Sequence, residues 1–181
     1  MFKSLVQMVI MTMFLCSCAV NPDQPVVPIQ QPEPSLFDYS YKGCEILLQR
    51  ATAPLDRNRD ILVASFVNAD NLNESSTFGR AIADYCITYF VSQGYKLSEI
   101  KLRDNLLVKQ DAGEFMLSRN LKNILLNHNV HAVVVGTYSI GSDNVYITAK
   151  IVNPVDGIII SAVDYKIKMT RDVRKMLGIA G

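Results

Sequence analysis

The sequence is short of the side chains on which many enzymes rely. Its 181 residues contain no tryptophan and only two histidines, His128 and His131. Histidine is the commonest general acid–base residue and a frequent zinc ligand, so few residues are available here for either role. Neither sign of charge is in surplus, with 18 basic and 17 acidic side chains. This balance excludes a strongly basic nucleic-acid binder, and a hydrophobic content of 49% excludes bulk disorder.

The candidate chemical motifs are incomplete. His128 and His131 straddle a predicted helix end and strand start, and no cysteine or carboxylate cluster nearby completes a metal site. The segment Asp70–Glu74 is rich in oxygen atoms but lacks the spacing and central glycine of a calcium loop. No G-x-S-x-G motif is present, and Gly136 and Gly141 flank a predicted strand rather than open a helix. The sequence therefore predicts a non-enzymatic protein without a metal or cofactor.

The N-terminus has the pattern of a secretory signal. Lys3 precedes an apolar run at residues 5–15, which is too short for a transmembrane helix of ~20 residues. The residues Leu-Cys-Ser-Cys at 15–18 are similar to a bacterial lipobox, in which the last cysteine is acylated after cleavage. We therefore expect a lipoprotein signal peptide at 1–17 and lipid attachment at Cys18. Several acyl chains anchor a protein stably where one chain would be marginal.

A proline-rich segment follows the expected acylation site. By the sorting rule of bacterial lipoproteins, Ala19 favours the outer membrane. Five of the seven prolines lie between residues 22 and 34, a density that disfavours helix and sheet and favours an extended spacer. At ~3.1 Å per residue, an extended segment 19–37 would hold the domain up to ~50–60 Å from the membrane. The alternative is a disordered tail whose length serves no function. We predict a lipidated tether at 18–37 and a single domain at 38–181.

Hydrophobic periodicity predicts the elements of that domain. Helices are expected at 38–52, from Ser75–Thr77 to Gly94, at 113–127 and at 170–177. A buried strand is expected at 61–67, and extended chain at 95–109. A three-stranded antiparallel meander is expected at 132–140, 145–152 and 158–168, with turns at 141–144 and 154–157. The predicted fold class is α/β, a layered domain with a mixed β-sheet covered by about three helices.

Two cysteines remain after the expected lipidation. Cys44 and Cys86 lie on apolar faces of two predicted helices, in a compartment that would be oxidising. A disulfide between them would close a loop of ~40 residues and stabilise the fold by up to ~4 kcal/mol. The alternative is a pair of separately buried thiols, because the sequence does not show whether the two helices are neighbours.

Tyrosines offer a candidate partner-binding surface. Three lie on the predicted meander and two in the first predicted helix: Tyr138, Tyr146, Tyr165, Tyr39 and Tyr41. Tyrosine is enriched at protein interfaces. Packing against the sheet explains the same residues equally well.

Three stretches of the domain carry a family resemblance. They are DILVASFVN at 60–68, TFGRAIAD at 77–84 with QGY at 93–95, and VVVGTY at 133–138 with DG at 156–157. Residues 60–168 resemble the FlgO family of outer-membrane lipoproteins, which is associated with motility and the flagellum. Related envelope domains share the layout, including the N-terminal domain of TolB, CsgG and lipoprotein activators of peptidoglycan synthases. The resemblance supplies no catalytic residues and no pattern that includes Cys44 or Cys86.

The resemblance implies a function and a location. We expect an outer-membrane lipoprotein, with its domain in the periplasm or at the cell surface, that supports flagellar assembly or stability and motility through protein–protein contacts. Its partners would be the outer membrane, through the lipid, and an envelope protein of the flagellum, with no nucleic acid and with an oligomer left open. The alternative is a periplasmic adaptor that activates a peptidoglycan synthase.

Overall fold

The described part of the chain forms three helices and a six-stranded sheet. A computed structural model describes residues 34–72, 74–98, 125 and 127–179. The helices are α1 (Leu36–Gln49), α2 (Thr77–Ser92) and α3 (Arg171–Leu177). The strands are β1 (Asp60–Val63), β2 (Val67–Asn68), β3 (Lys96–Leu97), β4 (Val130–Ile140), β5 (Asn144–Val152) and β6 (Ile159–Lys168).

The sheet is mixed and open. Its strand order is β3-β1-β4-β5-β6, with β2 also beside β4. β1 runs parallel to both β3 and β4, whereas β4, β5 and β6 form an antiparallel meander. The predicted α/β class, with its mixed sheet and terminal meander, is therefore confirmed.

Side-chain caps fix where the helices begin. Ser35 caps α1, and its backbone N–H donates to Asp38 Oδ2 at 2.8 Å in a capping box. Hydrogen bonds from the Ser35 hydroxyl and then from the Ser35 backbone N–H lower the pKa of the Asp38 carboxyl below its ordinary value. Ser76 and Thr170 cap α2 and α3, where their side chains accept from the backbone N–H of Gly79 and of Val173. Because Ser35 provides the cap, α1 starts at residue 36 rather than at the predicted 38, and it ends at 49 rather than 52.

The strand predicted at 61–67 is interrupted. β1 stops at Val63 and pairing with β4 resumes only at Val67, in β2. Between them, the N–H of Phe66 donates to the carbonyl of Gly79 in α2 at 3.2 Å. The Phe66 ring is fully buried and lies over Gly136 of β4, where a Cβ atom would overlap it. A tertiary contact thus draws this part of the strand away from the ladder, and its apolar sequence does not reveal that break.

Two further expectations fall mostly on residues outside the described part. Of the helix predicted at 113–127, the structure describes only Leu125 and residue 127. Of the extended segment predicted at 95–109, it describes residues 95–98, which include β3. The signal peptide, Cys18 and the tether up to residue 33 are also outside the described residues.

The helices cover one face of the sheet and enclose the larger core. Alternate residues of the meander point into this core, as a half-buried antiparallel sheet requires. They pack with apolar residues of α1, α2 and α3, and the buried set includes Leu47, Phe78, Ile82, Phe90, Val134, Ile147, Val163 and Val173. A smaller cluster on the opposite face contains Leu62, Val133, Val135 and Leu125. Both faces of the central strands are therefore buried.

The chain enters this domain beside the start of β5 and the end of β6. Tyr39 in the first turn of α1 lines a shallow cavity of about 450 Å³ there, together with Asp143, Asn144, Lys166, Lys168 and Met169. α1 ends near the opposite end of β6, because the N–H and Oγ of Thr52 both donate to the carbonyl of Ile160 at 3.0 Å. In the described ranges, no helix has the length and apolar character needed to span a membrane.

Candidate functional site

A disulfide in the structure joins the two long helices. Cys44 of α1 and Cys86 of α2 are 1% exposed, and their Cα atoms are 5.9 Å apart. This separation lies within the range that a disulfide spans. The two cysteines have a sequence separation of 42. The two helices are therefore neighbours, and the bond ties the outer layer of the fold together.

An aromatic surface lies on the outer side of the same two helices. It consists of Phe37 and Tyr41 of α1 with Tyr85 and Tyr89 of α2. Phe37 contacts Tyr41 and Tyr85 with ring centroids 6.1 and 6.4 Å apart, and Tyr41 contacts Tyr89 at 5.8 Å. Such tilted and edge-to-face pairs contribute about 0.5–1.5 kcal/mol each beyond area burial. The four rings hold one another in place, so the surface is ordered although it is accessible.

The aromatic surface combines apolar area with polar groups. Phe37 is 47% exposed, and the three tyrosines are partly exposed. Lys42 and Glu45 form an ion pair at 2.7 Å in α1. Partial burial and then the negative charge of Glu45 raise the pKa of the Tyr89 phenol. Ordered aromatic rings with hydroxyl groups and neighbouring charges are the composition expected of a protein-docking surface.

The tyrosine surface expected from the sequence does not form as one unit. Tyr138 is only 2% exposed and packs edge-on against Phe78 with ring centroids 5.5 Å apart. Tyr165 lies under α1 against Gly43, and burial raises the pKa of its phenol. Tyr146 is exposed on the opposite face of the sheet. Only Tyr41 of the expected set belongs to the aromatic surface.

His131 occupies a structural position at the start of β4. Its Nδ1 lies 3.1 Å from the carbonyl of Asp60, and its Nε2 accepts from the N–H of Asp56 at 3.0 Å. The ring is therefore a neutral tautomer that donates from Nδ1 and tethers the loop before β1. Burial lowers the pKa of this imidazole, and the nearby Arg59 guanidinium lowers it further, against the opposing effects of Asp56 and Asp60.

Acid is expected to weaken the fold through His131. The pKa of His131 in the folded protein lies below its ordinary value of 6.5, so in acid the unfolded chain binds the proton first. The free energy of unfolding should then fall as the pH drops below about 6.5 and through the lower folded pKa. Urea unfolding of the wild type and His131→Gln between pH 5 and 8 measures this. The wild type should lose more stability than the variant in acid. The exposed His128→Gln variant is the control. If the wild type and His131→Gln lost the same stability in acid, the assignment to His131 would be refuted.

The remaining sequence candidates stay apart from the aromatic surface. His128 is exposed in the turn before β4, and Asp70 lies in the loop after β2. In that loop, Asp70 N–H donates to Asn68 Oδ1 at 3.0 Å and Asn68 N–H donates to the Glu74 carbonyl. Across the part of the chain that is described, no three His, Cys, Asp or Glu side chains are grouped as a metal site would need.

Sequence reasoning missed most of the aromatic surface. Tyr85 and Tyr89 fall within the helix predicted from Ser75–Thr77 to Gly94, and Phe37 falls in the predicted tether. The sequence did contain a signal, since Phe37 and Tyr41, like Tyr85 and Tyr89, are four positions apart. Residues at this spacing share one face of a helix. That signal becomes informative only once α1 and α2 are known to be neighbours.

Comparison with known proteins identifies the family. The profile described as FlgO protein matches residues 42–172, from the first turns of α1 into α3. The chain belongs to the FlgO family. The match covers all six strands and the disulfide-linked parts of both long helices, so the FlgO domain coincides with the fold described above. A search of curated protein sequences finds no match.

Solved structures share the fold of this FlgO domain. The LpoB C-terminal domain from Salmonella enterica superimposes with a TM-score of 0.51 at 13% identity, covering 75% of this chain and 100% of that one. The LpoB C-terminal domain from Escherichia coli gives a TM-score of 0.52 at 13% identity, covering 74% and 98%. At this identity the similarity concerns the fold alone.

Proposed function

We propose that this FlgO-family chain is an outer-membrane lipoprotein that docks a flagellar protein in the cell envelope. Acyl chains on Cys18 anchor it, residues 19–37 give the domain its reach, and the aromatic surface binds the partner. The bound partner stabilises the flagellum where it crosses the envelope, and motility depends on that contact. The mechanism is positional and includes no catalytic step.

Family membership over residues 42–172 is the observation that carries this proposal. The lipobox-like residues at 15–18 support the membrane anchor. The aromatic surface supports docking, since ordered, exposed rings provide contact area at a low cost in conformational entropy. His131 supports a non-enzymatic role, because its two ring nitrogens contact the backbone of Asp56 and of Asp60.

A charge placed in the aromatic surface should impair swimming while leaving the fold intact. Phe37→Glu puts a carboxylate among the rings, yet an acidic residue in the first turn of α1 suits the helix dipole. Val91→Glu is the matched control, because Val91 is 54% exposed on α2 and is not among the four rings. We expect a deletion strain that carries the Phe37 variant to lose at least half of its swimming radius, with normal protein abundance by immunoblot.

The same strains test the alternative function. The control variant should swim as the wild type does. Equal swimming of both variants would remove the aromatic surface from the proposal. A deletion that leaves swimming normal but changes cell shape or growth would contradict the flagellar function and favour the adaptor of a peptidoglycan synthase.

A further inference from the structure

The outer edge of β6 is an unpaired strand edge. β6 is the last strand in the sheet order, and no strand among the described residues pairs with its outer side. Thr52 occupies this edge only at the carbonyl of Ile160. Among the described residues, no strand therefore covers this edge from Ala162 to Lys166. Native proteins rarely leave so long an edge uncovered without a device that controls its pairing.

The ladder shows which backbone groups face outward. Met169 N–H donates to the Asp143 carbonyl across the β5–β6 pair, so residue 169 faces β5. Backbone groups alternate along an antiparallel strand, and the register between residues 161 and 168 is continuous. The N–H and C=O groups of Ala162, Asp164 and Lys166 therefore point away from the sheet. These groups are available to a further strand.

Charged side chains alternate along the same edge. Asp164 and Lys166 are exposed on the face opposite the helices, two positions apart. Thr148 Oγ1 of β5 donates to Asp164 Oδ1 at 2.6 Å, which positions this carboxylate on that face of the sheet.

We propose that two copies of this chain pair through β6, antiparallel and with the two-fold axis at Tyr165. In that register Asp164 lies opposite Lys166 of the second copy. The N–H of Asp164 donates to the C=O of that Lys166, whose own N–H donates to the C=O of Asp164. The two-fold symmetry repeats the two backbone bonds and the one ion pair, and the two sheets become one continuous sheet.

The charge order favours a second copy over an unrelated strand. The short sequence Asp164-Tyr165-Lys166 is complementary to itself when two strands run antiparallel, because each charge then meets its opposite. A parallel pairing in register would place like charges opposite one another, which destabilises a sheet. Alternating charge also discourages an apolar strand from adding to this edge. The inference does not depend on the flagellar assignment or on the aromatic surface.

Charge reversal and charge exchange test the pairing. The full chain, purified in a density-matched detergent, is examined by sedimentation at several concentrations. We expect the wild type to dimerise, and Asp164→Lys or Lys166→Asp to raise the dissociation constant by about tenfold or more. The double variant Asp164→Lys/Lys166→Asp exchanges the charges and should recover the wild-type constant. Far-UV circular dichroism checks that each variant is folded.

Two reversals away from the edge serve as matched controls. Asp84→Lys on α2 and Lys175→Asp on α3 change the net charge by the same amounts at other exposed positions. They should leave the dissociation constant unchanged. A monomeric wild type at all concentrations, single variants that dimerise as the wild type does, or a double variant that fails to recover would each overturn the proposal.

Discussion

Removing the bond between Cys44 and Cys86 is expected to cost this fold about 4 kcal/mol of its free energy of unfolding. The bond closes a loop with a sequence separation of 42, and the estimate follows from the entropy that this closure removes from the unfolded chain. The double variant Cys44→Ala/Cys86→Ala should therefore unfold at a urea concentration lower by about 2 M. Far-UV circular dichroism is the appropriate probe, because the chain contains no tryptophan.

Reduction of the wild type provides the control for this variant. A reductant opens the disulfide without creating the small cavity that alanine leaves at two buried sulfur positions. The reduced wild type should lose most of the stability that the double variant loses. Equal urea midpoints for oxidised and reduced wild type would mean that the two sulfur atoms are not bonded in the folded protein.

Local signals made most of the fold predictable from the sequence. The capping residue of α2 and the turns of the meander depend on neighbours within a few positions, and the structure has them at Ser76, 141–143 and 153–158. The long apolar runs of the meander strands are also local features. Their pairing as consecutive hairpins leaves little choice of topology.

Features set by contacts distant in sequence were not predictable. The break between β1 and β2 depends on Phe66 reaching over Gly136 and bonding to Gly79. The aromatic surface and the Cys44–Cys86 bond depend on α1 lying next to α2, which no periodicity specifies.

Which tyrosines are buried can be predicted only once the pairing of the strands is known. The register places both Tyr138 and Tyr165 opposite Ile147, a buried residue of β5, and so points both toward the helices. Tyr146 is one position away from Ile147 and therefore points to the other face. Once the two hairpin registers are known, alternation alone separates the buried tyrosines from the exposed one.

Removing the acylation site is expected to have the largest effect on function. On the proposed function, Cys18→Ala would lose the acyl chains that anchor the domain to the membrane. Ala19→Asp is the matched control, because it keeps the acylated cysteine but carries the residue that favours retention at the inner membrane. Membrane fractionation should find the wild type in the outer membrane, and neither variant there.

The proposed function is tested most directly by the swimming of a deletion strain that carries the wild type, Cys18→Ala or Ala19→Asp. Electron microscopy of the same cells scores the flagellar filaments. If the domain acts from the outer membrane, as we propose, only the wild type should restore swimming and filaments. Full swimming with Cys18→Ala, or normal swimming of the deletion strain itself, would contradict it.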